Sequence, residues 1–333
     1  MIYVAFIALA ALVVFLSIKL SDYVDLLDKT TNISGAFIGA IMLAAVTSLP
    51  ELFTSFSSVV LLRENELVIG NILGSNVFNF AALGITTAIC FRGFSKSKLN
   101  KSHVITLLGA LLMYALVCIG IFVKDVPMLG FVNIVSPFIF AVYVFIVIFT
   151  PRTDESTEKV EAKLTKKQII LRFILAAVVL VGASVAITYV SDIVADKMNL
   201  GKTFAGALLL GLVTSLPELV STITLCKRGN FNAAMGNITG SCVFNFLILF
   251  IADLLSFRKG STVIFPYFSS GTEGFQSMLL AVLGIASTAL VLIMTLTKIY
   301  GKRKIFGHVV TISASTLSVS AYILFLILST VMA

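Results

Sequence analysis

Ten apolar runs of about 20 residues, separated by short polar stretches, make up most of the chain. They lie near 2–19, 34–62, 67–91, 103–123, 127–149, 169–191, 203–226, 231–257, 275–297 and 308–332. Runs this long and this poor in charge predict membrane-crossing helices. The second and seventh runs exceed a straight crossing, and the third and eighth exceed it slightly. All four carry Gly or Pro interruptions, as broken helices do. The expected fold is an all-α integral membrane protein of about ten transmembrane helices.

Composition agrees with this pattern. The 333 residues are 59% hydrophobic and only 12% charged, and the mean hydropathy is +1.08. A soluble domain carries roughly 25% charged residues, so this chain could not cover itself with polar surface. A net charge of +8 invites a nucleic-acid partner, but the basic residues fall in the connections between spans. Assigned alternately to two sides, the connections hold about 6 Lys and Arg on one side and about 18 on the other. The richer side is expected to be cytoplasmic, which leaves both termini outside. Membrane lipid is then the expected partner, with no role for nucleic acid. The first run lacks a basic leader and a clean small-x-small cleavage site, so it is expected to be a retained helix of a plasma (inner) membrane protein. Four cysteines (Cys90, Cys118, Cys226 and Cys242) lie in or near apolar runs, with no CxxC pair, and only two histidines are present. Neither a disulfide framework nor zinc or haem chemistry is expected, and no resident cofactor.

The segment 151–168 is the longest internal hydrophilic stretch. It is expected to be a cytoplasmic linker between two halves, 1–150 and 169–333. The halves repeat each other. Thr47-Ser48-Leu49-Pro50-Glu51 recurs as Thr214-Ser215-Leu216-Pro217-Glu218, an offset of 167 residues. Asn71, Ser75 and Asn79 recur as Asn237, Ser241 and Asn245, an offset of 166. Five spans per half is odd, so the second half enters the membrane from the opposite side. That arrangement is an inverted-topology repeat.

The repeated phrases carry oxygen chemistry. A proline inside a helix withholds one N–H and disturbs the turn before it. Thr47 and Ser48 are placed to cap a helix restarted at Pro50, and Glu51 projects beside the break. Thr214, Ser215, Pro217 and Glu218 repeat this set. Hard cations such as Ca2+ and Na+ take hydroxyl, carbonyl and carboxylate oxygens. Gly74 and Gly240 permit close helix approach or a broken turn. Asn71, Ser75 and Asn79 recur every four residues on one helix face, as do Asn237, Ser241 and Asn245. A mid-membrane carboxylate costs on the order of 2.5 kcal/mol or more, and no basic residue occupies a matching position. Glu51 and Glu218 are therefore expected to be metal-ion ligands.

These phrases resemble the two α-repeats of the calcium/cation antiporter superfamily, in its sodium/calcium exchanger branch. The first would span about 34–91 and the second about 201–257. The resemblance covers essentially the whole chain. It implies an antiporter with a central ion cluster between the second, third, seventh and eighth spans. It assigns ion binding to Thr47, Ser48, Glu51, Ser75 and Asn79, and to Thr214, Ser215, Glu218, Ser241 and Asn245. It also implies alternating access by movement of the first and sixth spans. One position departs from many relatives. Prokaryotic and potassium-dependent members often carry Asp where this chain has Asn245, whereas potassium-independent animal exchangers carry Asn. The expected activity is potassium-independent exchange of Ca2+ for Na+, by a protein functional as a monomer. Because desolvation favours a neutral carboxyl, H+/Ca2+ exchange is the alternative. A passive cation channel and an intramembrane enzyme using the two glutamates are remoter readings.

Overall fold

The computed structural model describes all residues except 31–42, 124–126, 130–131, 151–164, 258–270, 302–303 and 333. Among the described residues, eight helices are long and apolar enough to cross a membrane, and Leu49–Leu62 and Val135–Phe149 add two shorter apolar ones. Each of these ten segments overlaps one of the ten predicted runs, but the fifth helix starts at Val135 and not at the predicted 127, because a short strand pair occupies the start of that run. The start of the second run and most of the 151–168 linker lie outside the described residues. The protein is a multi-pass, all-α membrane protein. Its only described strands are two-residue pieces, Met128–Leu129 and Val132–Asn133, paired antiparallel between the fourth and fifth spans.

The first span, Ile2–Thr30, continues into the connection predicted after residue 19. No Gly or Pro interrupts the chain between Ile2 and Thr30, so the polar residues after Leu20 lengthen the helix without stopping it. The sixth span, Lys166–Lys197, also outruns its predicted bounds. A capping box starts it: Gln168 N donates to Thr165 Oγ1 at 3.4 Å, and Thr165 N to Gln168 Oε1 at 3.0 Å. At 1.5 Å per residue these helices of 29 and 32 residues measure about 43 and 48 Å. A bilayer core is about 30 Å thick, so each tilts or projects beyond it. The two pack along one another. Their shared cluster includes Val13, Leu16, Leu20, Leu180, Ala183 and Ile187, and touches the rest through residues such as Val46, Leu67 and Leu210. Only 17% and 22% of their apolar windows are buried. Residues such as Ile7, Phe15, Leu175 and Val178 remain on the outside to face lipid.

The third span, Asn65–Ile89, is the opposite case, with 83% of its window buried. It runs through the main core with the eighth span, Phe231–Phe257. Both are continuous α-helices, so the glycines do not break them. In the third span they allow contact instead: a Cβ on Gly70 would fall 2.0 Å from the Thr203 carbonyl oxygen, and one on Gly74 2.5 Å from Ala207 Cα. Gly240 lies half-buried in the unbroken eighth helix. The irregular backbone belongs to the second and seventh spans. The second comprises Leu43–Thr47, Leu49–Ser57 and a π-helical turn, Ser58–Leu62. The seventh comprises Lys202–Ala205, a π-helical stretch Gly206–Gly211, and Leu212–Lys227 with Pro217 inside it.

Candidate ion site

Pro50 occupies the first turn of Leu49–Ser57, where its missing N–H is tolerated. The two repeats meet at this point. Ser48 Oγ donates to Glu218 Oε1 at 3.2 Å, and Ser215 Oγ donates to Glu51 Oε1 at 3.0 Å. Each glutamate is thus held by the serine of the other phrase. The predicted capping role is corrected here: Ser48 makes no side-chain cap, because its hydroxyl reaches across to the opposing carboxylate. Thr47 Oγ1 donates to the Ala44 carbonyl at 3.1 Å and lies 3.4 Å from Ser241 Oγ. Thr214 Oγ1 donates to the Leu210 carbonyl at 3.0 Å and approaches Asn71 Oδ1 at 3.5 Å.

The third and eighth spans supply the facing groups. Ser241 Oγ reaches Glu218 Oε1 at 3.4 Å. Ser75 Oγ instead donates to the Gly211 carbonyl at 3.2 Å. Asn71 Nδ2 bonds Thr54 Oγ1 at 3.0 Å and Ser55 Oγ at 3.1 Å, and Asn237 Nδ2 bonds Thr222 Oγ1 at 3.1 Å. Both amides also approach the carbonyl of the neighbouring glutamate, at 3.5 and 3.4 Å. They brace the glutamate-bearing helices and were not distinguished in sequence from the other polar residues of their face. Asn245 Nδ2 donates to Asn76 Oδ1 at 2.9 Å.

Every residue to which the resemblance assigns ion binding, from Thr47 to Asn245, is fully buried at 0% exposure. Glu51 Oε2, Glu218 Oε2, Asn245 Oδ1 and both amide atoms of Asn79 have no hydrogen-bond partner among the described residues. Buried polar atoms without partners are uncommon, and a cluster of them suits a species arriving from solution. No group of three or more His, Cys, Asp or Glu is placed to hold a metal ion among the described residues. The cluster therefore carries two carboxylates surrounded by neutral oxygens.

Sequence reasoning missed Thr54, Ser55, Thr222 and Asn76. The first three lie about one helical turn beyond Glu51 or Glu218, a usable signal. Asn76 has Cys242 as its repeat counterpart, so the repeat concealed it. Asp253, near the end of the eighth span, is buried at 4% exposure and accepts from Asn133 N at 3.0 Å. The fold returns the fourth–fifth connection onto the end of the eighth span, which covers this carboxylate.

Two inverted halves closing on a buried oxygen cluster define a multi-pass membrane transporter. The chain belongs to the sodium/calcium exchanger protein family, whose sequence profile matches residues 1–150 and 168–331. It is 26% identical over 248 residues to the inner membrane protein YrbG of Escherichia coli (strain K12), covering 72% of this chain and 74% of that one. Its fold resembles the crystal structure of the H+/Ca2+ exchanger CAX, with a TM-score of 0.71 and 14% identity, over 99% of this chain and 87% of that one. It also resembles the sodium-calcium exchanger NCX_Mj, with a TM-score of 0.56 and 18% identity, over 96% and 99% of the two chains. The family is one of transporters and not of enzymes, and the chain is a cation antiporter of the exchanger type.

Proposed function

We propose that the chain exchanges Ca2+ for Na+ by alternating access, without K+. Glu51 and Glu218 serve as the charged ligands. Thr47, Ser48, Thr214, Ser215, Ser241, Asn79 and Asn245 supply neutral oxygens. Ser75 joins them when its bond to the Gly211 carbonyl is released. The observation that carries this reading is the reciprocal pair, Glu51 with Ser215 and Glu218 with Ser48. Each carboxylate keeps a second oxygen without a hydrogen-bond partner among the described residues. Two carboxylates balance the charge of one Ca2+, which takes 6–8 oxygens at about 2.3–2.6 Å. Ions leaving on opposite sides require the cluster to open to one side at a time. The first and sixth spans, packed along one another in an apolar cluster that they share with residues of the second, third and seventh spans, are the elements suited to move against the rest. The charge asymmetry of the connections supports both termini outside and 151–168 in the cytoplasm. The inner-membrane relative supports a plasma (inner) membrane location. The site is complete within one chain, which supports a functional monomer.

A second reading exchanges Ca2+ for H+. Complete burial of both carboxylates favours it, since two protons would discharge them as well as one Ca2+ does. Uptake of radioactive Ca2+ into proteoliposomes, driven in turn by a Na+ gradient and a pH gradient, separates the two. Na+-driven uptake is expected. Uptake that responds to the pH gradient and ignores Na+ would sink the Na+ reading.

A further inference from the structure

Asn76 belongs to neither the carboxylate pair nor the repeat pattern, yet it contacts both Cys242 and Asn245. Its Nδ2 donates to the Cys242 carbonyl at 3.3 Å, and all three residues are fully buried. A backbone carbonyl can only accept. That contact fixes Asn76 with its NH2 toward Cys242 and its Oδ1 toward Asn245. An amide carbonyl likewise only accepts, so Asn245 must present its own NH2, at 2.9 Å. Asn245 Oδ1 is thereby left without a partner among the described residues. The orientation passes from a backbone carbonyl through two amides, with no freedom to flip at either step.

We infer that Asn76 is a positioning residue that makes Asn245 present an oxygen to the transported cation. This rests on the reading of Asn245 as an ion ligand. Turned over, the Asn245 amide would direct two N–H groups at a cation and repel it. The first half has no such relay: Cys242 stands where a second Asn76 would be needed, and both amide atoms of Asn79 lack partners among the described residues. The same contact also decides what an added charge would meet. Asn245→Asp would set a carboxylate oxygen against Asn76 Oδ1, two acceptors at the distance of a hydrogen bond.

The test is a mutant cycle of Asn76→Leu, Asn245→Ala and the double substitution, measuring Ca2+-dependent uptake in proteoliposomes and Ca2+ binding by the purified protein. Asn76→Leu is expected to raise the KM for Ca2+ about 10-fold, the effect of losing an outer support of an ion ligand, with little change in maximal rate. In the Asn245→Ala background it should change nothing further. Asn76→Asp keeps the size and the acceptor facing Asn245, and a buried neutral carboxyl keeps an O–H donor toward the Cys242 carbonyl, so its KM should stay near the wild-type value. Additive losses in the double variant, or an Asn76→Asp KM as high as that of Asn76→Leu, would overturn the inference while leaving the antiport reading intact. A wild-type protein that neither binds nor takes up Ca2+ would remove the reading itself, and the inference with it.

Discussion

Ser75 and Ser241 occupy equivalent places in the two repeats and make different bonds. Ser241 reaches Glu218 and Thr47, whereas Ser75 is turned to the backbone carbonyl of Gly211. The segments after the two phrases differ as well. The second span passes into the π turn Ser58–Leu62, while Leu212–Lys227 stays α-helical to its end. Near-identical words thus adopt unlike arrangements. A perfectly symmetric inverted pair would treat both sides of the membrane alike. In an alternating-access transporter the halves must differ in any one state and exchange roles between states. The unequal serines are therefore a reading of state as well as of sequence.

The strongest test of this comparison is at the groups that remain equivalent. Glu51→Gln and Glu218→Gln should each reduce Ca2+ uptake by about 100-fold or more, beyond the loss of an outer support, with membrane insertion unchanged. Robust uptake by either variant would break the symmetry of the carboxylate pair. Next is the backbone contact of the third and seventh spans. Gly70→Ala should destabilise the detergent-solubilised protein by about 1–3 kcal/mol, because its Cβ would meet the Thr203 carbonyl. Gly182→Ala is the control, since a Cβ there meets nothing within 4 Å. Equal melting temperatures for the two variants would deny the close approach.

Ser241→Ala should then weaken Ca2+ binding by about 10-fold, with Ser75→Ala weakening it several-fold less. Equal losses would show that the two serines contact the ion alike, and the asymmetry would not describe the ion-bound state. The smallest effects are expected at Thr87 and Asp253, equivalent positions that tie the third span to the tenth through Ser315 and the eighth to the fourth–fifth connection through Asn133. Thr87→Val and Asp253→Ala should lower stability by about 1 and 1–3 kcal/mol, with uptake retained. Loss of transport in a stable variant would move that residue from anchoring into the transport cycle.

Much of this was legible before the fold. Ten spans follow from run length and hydropathy, because a bilayer enforces helix length directly. The odd number of spans per half implies inversion, and the recurring glutamates in apolar runs mark the cluster. One role was misread for a local reason. The capping role expected of Thr47 and Ser48 treated each phrase alone, but the acceptor for Ser48 lies 170 residues away. Of the two roles expected of Gly74, close helix approach or a broken turn, the structure takes the first, against the seventh span.

The sequence by itself determined the membrane class, the two halves and the residues that bear charge and oxygen. These depend on composition and local spacing, which physics reads along one dimension. Tertiary structure alone decided which serine serves which glutamate, that Ser75 turns away while Ser241 turns in, and that Asn76 orients Asn245. Hydrogen bonds are directional and short, so partners distant in the chain become distinguishable only when the helices are brought within about 3 Å of one another.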